Sequence, residues 1–130
     1  MHWKHVLACV SLSVLLATAV YAKRSAPKAV APLTQDGIVY SAPPTQMGFV
    51  VATSEQTGRV IWLRQIYVVK YDVQLEKDVQ DCFITSLSLK DGKLLVANEA
   101  GGEYGLDLDS LDVKVIKGKS VIDRTRSGRK

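Results

Sequence analysis

The residues in this chain that can do chemistry are few, and most are carboxylates. Asp107-Leu108-Asp109 and Asp112 place three oxygen donors close together, a grouping that suits a hard cation such as calcium. The stretch lacks the glycine and terminal glutamate of an EF-hand loop, so a solvated strand end is the plainer reading. Glu99 and Glu103 flank Ala100-Gly101-Gly102 and form a second carboxylate pair. Acid–base catalysis needs such a pair in a cleft with a perturbed pKa, whereas carboxylates beside a hairpin turn are ordinarily solvated. Ala100-Gly101-Gly102 itself lacks the lysine and following helix of a phosphate loop. Cys82 opens the apolar pattern Cys82-Phe83-Ile84, which favours a buried, inert thiol over a reactive one.

Histidine decides more. His2 and His5 are the only two histidines, and both lie in a segment, residues 1–22, that reads as a cleavable secretory signal peptide. Lys4 gives the basic start, residues 6–22 carry no charge, and Val20-Tyr21-Ala22 fits the cleavage pattern, with Ala17-Thr18-Ala19 as a second site. The uncharged run is 17 residues and contains Ser11, Ser13 and Thr18, short and polar for a permanent span of roughly 20 residues. The expectation is export to the periplasm or the exterior, with cleavage after Ala22. The remaining 108 residues then hold no histidine and one cysteine, Cys82. That excludes a Ser-His-Asp triad, a Cys-His pair, a His-ligated metal, an intrachain disulfide and a cysteine-rich zinc site. The expectation is a non-enzymatic protein with no catalytic residue, no metal site and no cofactor.

Charge is unevenly spread. After cleavage the chain has 16 basic and 13 acidic residues, yet residues 36–116 hold 7 basic against 12 acidic. The basic excess sits at the two ends, so the central part is a poor nucleic-acid platform and no nucleic-acid partner is expected. The basic C-terminal stretch can meet an anionic membrane or envelope polymer.

Residues 23–35 are rich in Lys, Ala and Pro and read as an extended linker. Residues 118–130 are basic and nearly devoid of apolar side chains, and read as a flexible tail. Between them, residues 36–117 read as a β-repeat domain. Seven short β-rich runs, at 37–40, 48–52, 59–71, 82–89, 93–97, 103–108 and 112–116, are separated by turn signals such as Thr57-Gly58 and Asp91-Gly92. The charged residues 75–81 read as a loop. The fold class that follows is all-β, an antiparallel meander of about seven strands after an N-terminal signal helix. Val39, Phe49, Val51, Trp62, Ile84, Leu95 and Leu106 are the expected core. The long run 59–71 is the least protected edge. Its outer half presents Ile66, Val68 and Tyr71, which are expected either to pair with the 82–89 strand or to form a protein–protein contact.

Two segments repeat, residues 37–62 and 92–116. Each opens Gly-x-apolar-apolar, passes a turn into a second apolar strand, and makes a polar turn into a third. In the first, Ala52, Thr57, Gly58 and Trp62 fall in the register Ala-x-x-x-x-Thr-Gly-x-x-x-Trp, with Ser54 two residues after Ala52. This resembles the docking motif of the pyrroloquinoline-quinone-type (PQQ-like) β-propeller repeat, in which an aspartate stands at the place of Ser54. In the second copy Gly105, Asp107 and Ser110 fit the Ala, Asp and Thr places, Leu111 replaces the Gly, and Val115 or Ile116 the Trp. The resemblance implies about two blade-like units in which the Trp62 ring docks on a neighbouring unit. A complete propeller has about 4–8 blades. The chain lacks a Cys-Cys pair and the Glu, Asn and Asp set that would hold calcium and quinone, so the family's enzymatic activity does not carry over.

These observations lead to an exported, non-enzymatic module that binds or scaffolds another protein, or a second copy of itself, in the cell envelope. Two other readings stand beside it. One is an accessory or degenerate fragment of a quinoprotein dehydrogenase system. The other is an envelope structural protein tethered through its basic ends.

Overall fold

The computed structural model describes residues 26–125. Residues 1–22, read as a signal peptide, the first residues of the stretch read as a linker and the last five residues of the stretch read as a tail lie outside it.

Two Asp-Gly pairs set the pattern of both halves. Asp36 and Gly37 take φ of 52° and 75°, and Asp91 and Gly92 take 51° and 74°. Positive φ at both central residues is the backbone of a type I′ turn, whose twist matches that of the strands it joins. The first pair links β1 (Leu33–Gln35) to β2 (Ile38–Ser41). The sheet continues through β3 (Phe49–Ser54) and β4 (Val60–Gln65). After a crossing segment with β5 (Val68–Lys70) and a one-turn helix α1 (Lys77–Gln80), the second pair links β6 (Ile84–Lys90) to β7 (Lys93–Asn98). That sheet continues through β8 (Glu103–Asp107) and β9 (Val113–Lys117), and β10 (Val121–Asp123) follows. Among the described residues there are thus two antiparallel four-stranded meanders, β1-β2-β3-β4 and β6-β7-β8-β9, and a parallel pair, β10-β5. The chain is all-β and does not close into a barrel.

The described residues form ten strands rather than about seven, for three local reasons. β1 lies inside the stretch read as linker, because Leu33 pairs with Tyr40 once the Asp-Gly turn folds the chain back. The run 59–71 breaks at Ile66-Tyr67, both buried, so that it yields β4 and β5. The Ile66 N–H donates to the Gly48 carbonyl at 2.8 Å. Gly48 has φ of 79°, and a Cβ there would lie 2.8 Å from the Tyr67 carbonyl oxygen, so the close approach needs glycine. Finally, β10 lies in the stretch read as a flexible tail. Averaging over a basic segment hid the apolar pair Val121-Ile122, which aligns with Val68 and Val69 of β5. The segment 65–71 therefore does not pair with the 82–89 strand.

The charged stretch 75–81 also departs from the loop reading, since α1 occupies it. Gln80 is the reason. Its buried side chain accepts from the Asp72 N–H at 2.6 Å and donates to the carbonyls of Asp72, Leu75 and Glu76. One amide group thus meets one N–H and three carbonyls of the excursion.

The core lies between the two sheets. Tyr40, Val50 and Ala52 come from the first, Leu94, Val96, Tyr104 and Leu106 from the second, and Ile66, Tyr67 and Cys82 from the crossing segment. Of the expected core, Val51, Ile84 and Leu106 are buried, but Val39, Phe49, Trp62 and Leu95 are only half-buried. For Val39, Phe49 and Leu95 the cause is parity. Successive strand residues point to opposite faces, and sheet one is apolar on both, so alternation alone does not say which face turns inward.

Candidate functional site

The two β–β turns that carry the repeat have the same hydrogen bonds. Ser54 N–H donates to the Arg59 carbonyl at 2.8 Å, and Asp107 N–H to the Asp112 carbonyl at 2.9 Å. Gly58 N–H reaches the Ser54 carbonyl and Leu111 N–H the Asp107 carbonyl, each at 2.8 Å. Ser54 Oγ accepts from Thr57 N–H at 3.4 Å, where Asp107 Oδ1 accepts from Ser110 N–H at 3.0 Å. The hydroxyls of Thr57 and Ser110 then accept from the N–H of Arg59 and Asp112. Gly58 and Leu111 share a positive φ, 71° and 62°. Thr57, Gly58, Asp107 and Ser110 are thus turn-builders.

The strand positions diverge. Ala52 pairs with Trp62, whose half-buried ring packs at a tilt against Tyr40, centroids 5.9 Å apart. Arg64, two residues on and on the same face, donates from Nε to the Leu111 carbonyl at 2.8 Å and ties the first sheet to the turn of the second. In the second sheet Gly105 pairs with Lys114, and Ile116 Cδ1 lies 3.7 Å from where a Gly105 Cβ would stand. Counted from the shared turn, Val115 stands where Trp62 does, but it pairs with Tyr104 and is 38% exposed, while Ile116 lies beside Gly105.

The three residues singled out for interaction separate. Ile66 is 4% exposed and is not available to a partner, because the turn at Gly48 pulls it into the core. Val68 and Tyr71 line a groove of about 510 Å³ together with Met47, Phe49, Leu63 and Phe83. Tyr71 donates its hydroxyl proton to Asp81 Oδ1 at 2.6 Å, and Lys77 Nζ stands 5.4 Å from its ring centroid. Burial first, and then the Asp81 carboxylate, push the Tyr71 phenol well above its ordinary value.

Three of the chemically capable residues, Asp107, Glu99 and Cys82, are occupied with structure. Asp107 Oδ1 accepts from the N–H of Asp109 and Ser110, which holds its carboxyl below the usual range. Glu99 accepts from Phe83 N–H, and Glu103 sits exposed on β8, so the two carboxylates do different work. Cys82 is fully buried, its N–H faces Met47 Sδ at 3.1 Å, and burial pushes its thiol up. Among the described residues no three His, Cys, Asp or Glu side chains come together as a metal site.

What the structure leaves open instead is sheet surface. On the outer side of sheet one, Val60, Ile61 and Leu63 are 62%, 51% and 45% exposed, next to the groove. Sequence reading put the unprotected edge in the outer half of the run 59–71, at Ile66, Val68 and Tyr71, and did not single out Val60, Ile61 and Leu63. Their signal was four consecutive apolar residues, Val60-Ile61-Trp62-Leu63, which a strand covered on one side only does not need. A scan of protein-family models gives no match to this chain, and a search of curated proteins gives none either.

Proposed function

We propose that this chain is an exported, non-enzymatic module that joins proteins through the open face of its first sheet. The carrying observation is the exposed apolar row Val60, Ile61 and Leu63 beside the Val68 and Tyr71 groove. Contiguous apolar surface of this kind is the mark of an interaction site in a folded protein. Two four-stranded meanders with matching turns support a blade-like repeat of the PQQ-like kind, an architecture used as often for binding surface as for chemistry. Asp107 and Glu99 are engaged by backbone N–H groups and the Cys82 thiol is buried in the core, which favours binding over catalysis.

The test is a photo-crosslinking amino acid at Leu63 in the protein expressed in its own cells, with Lys90 as a control site. A covalent adduct with a protein at Leu63 and none at Lys90 is expected. Absence of any protein adduct at Leu63 overturns the reading.

A further inference from the structure

The two sheets bury opposite faces of the repeat, and this determines what fits the faces left open. The shared turns set the equivalences: Ser54 matches Asp107, and Gly37 matches Gly92. The residues of β3 in the core cluster, Ala52 and Val50, lie two and four positions before Ser54. Those of β8, Leu106 and Tyr104, lie one and three before Asp107. The same holds at the other end, where Tyr40 is three after Gly37 but Leu94 and Val96 are two and four after Gly92. Even and odd offsets point to opposite sides of a strand. The front of sheet one, with Tyr40, Ala52 and Trp62, therefore packs on the back of sheet two, with Leu94, Tyr104 and Leu106.

This is head-to-tail packing. A face-to-face sandwich of two equivalent sheets would bury like faces and leave like faces outside. Here the open surfaces are unlike. The back of sheet one shows Val39, Thr53, Val60 and Leu63, and the front of sheet two carries the row Ser88, Leu95, Gly105 and Lys114, with Ile116 beside Gly105. They are the two halves of the contact the chain already makes once. Their relief also differs. At the places of Tyr40 and Ala52 the front of sheet two has the smaller Leu95 and Gly105, and these line a depression of about 560 Å³.

We propose that the back of sheet one in one copy docks on the front of sheet two in a second copy of this chain, continuing the internal interface head to tail. The proposal rests on the protein-joining reading above and names its partner. A heterologous contact of this kind either closes into a ring or runs on as a filament. With about 4–8 blades per propeller ring, two blades per chain call for two to four copies.

Light scattering on the purified protein tests this with two single variants and their mixture. Leu63→Arg blocks one face and Ile116→Arg the other; both side chains are largely exposed. Wild type is expected as a species of two or more copies, and each variant alone as a monomer. The equimolar mixture is expected as a heterodimer, because each variant keeps the face the other has lost. A monomeric wild type overturns the proposal, as does a mixture that stays monomeric while wild type assembles. Circular dichroism checks folding, and Val60→Lys with Ser88→Arg replaces the pair if either variant unfolds. A monomeric wild type that still crosslinks another protein from Leu63 sinks self-assembly and leaves the binding function standing.

Discussion

Tyr67 and Tyr104 stack with ring centroids 5.4 Å apart and planes 22° apart, and each hydroxyl is tied to a different connector. Tyr67 donates to the Cys82 carbonyl just before β6, and Tyr104 donates to the Lys119 carbonyl just before β10. The stack thus fastens the crossing segment and the C-terminal strand to one point of the core. Tyr67→Phe keeps the ring and removes the donor, leaving a buried carbonyl unsatisfied. A loss of about 1–3 kcal/mol is expected from the urea midpoint. An unchanged midpoint means water reaches that carbonyl.

Alkaline pH acts on the same residue. Burial, and then the neighbouring Cys82, raise the Tyr67 pKa, and burial and Asp81 raise that of Tyr71. An unfolded tyrosine releases its proton at about pH 10, whereas the folded one keeps it. Above about pH 10 the folded state therefore binds more protons than the unfolded one, so stability falls as pH rises. It is fully present below about pH 10 and is lost progressively above it. Urea midpoints on either side of pH 10 measure this, and Tyr67→Phe flattens the slope.

Gly48→Ala and Gly58→Ala separate two costs of the same φ. Both positions are in the left-handed region, but an added Cβ meets the Tyr67 carbonyl oxygen at Gly48 and nothing within 4 Å at Gly58. Gly58→Ala is expected to cost about 1 kcal/mol of backbone strain, and Gly48→Ala distinctly more. Thermal melts of the two variants side by side decide it; equal losses mean the chain yields at Gly48.

Val68 N–H donates to the Ser120 carbonyl at 2.9 Å, and Arg124 N–H to the Lys70 carbonyl. A chain ending at Gly118 loses these bonds while both meanders keep their strands. Hydrogen exchange is expected to accelerate at the Val68 amide and to stay slow at Val50 and Val96. Slow exchange at Val68 in the shortened chain means another segment covers β5.

Cys82 provides a probe of opening. Its thiol is fully buried and raised in pKa, so a thiol reagent is expected to react only as the protein unfolds. Labelling at the rate of a free thiol in native buffer contradicts the placement.

The strand sequence and the turns are legible in the residues because they are local. Asp91-Gly92, Thr57-Gly58 and the alternation of residues 82–89 act over a few positions. The inward face is not legible. Val50 and Val51 are the same residue type, and only the packing of the second sheet decides that Val50 is the deeper. Trp62 illustrates the middle case: its turn and register are local, but its half-buried state depends on Tyr40 and on how far sheet two reaches. Ile66 is expected at a pairing or contact edge because residues 59–71 read as one unprotected run, whereas the close approach at Gly48 bends the chain there and buries it. The pairing of Val68 with Val121 is invisible for another reason, since parallel register between distant segments leaves no turn between them to read.

That distant pairing sets an order of events. Val68 and Val121 lie about fifty residues apart, so bringing β5 and β10 together closes a long loop, a step whose entropy is recovered only late. Each meander can zip from its own Asp-Gly turn as soon as its strands exist. β5 must wait for residues 121–123 to leave the ribosome. Until then the crossing segment has its edge unmatched, and a nascent or truncated chain exposes Val68 and Val69 to whatever chaperone or neighbouring strand arrives first.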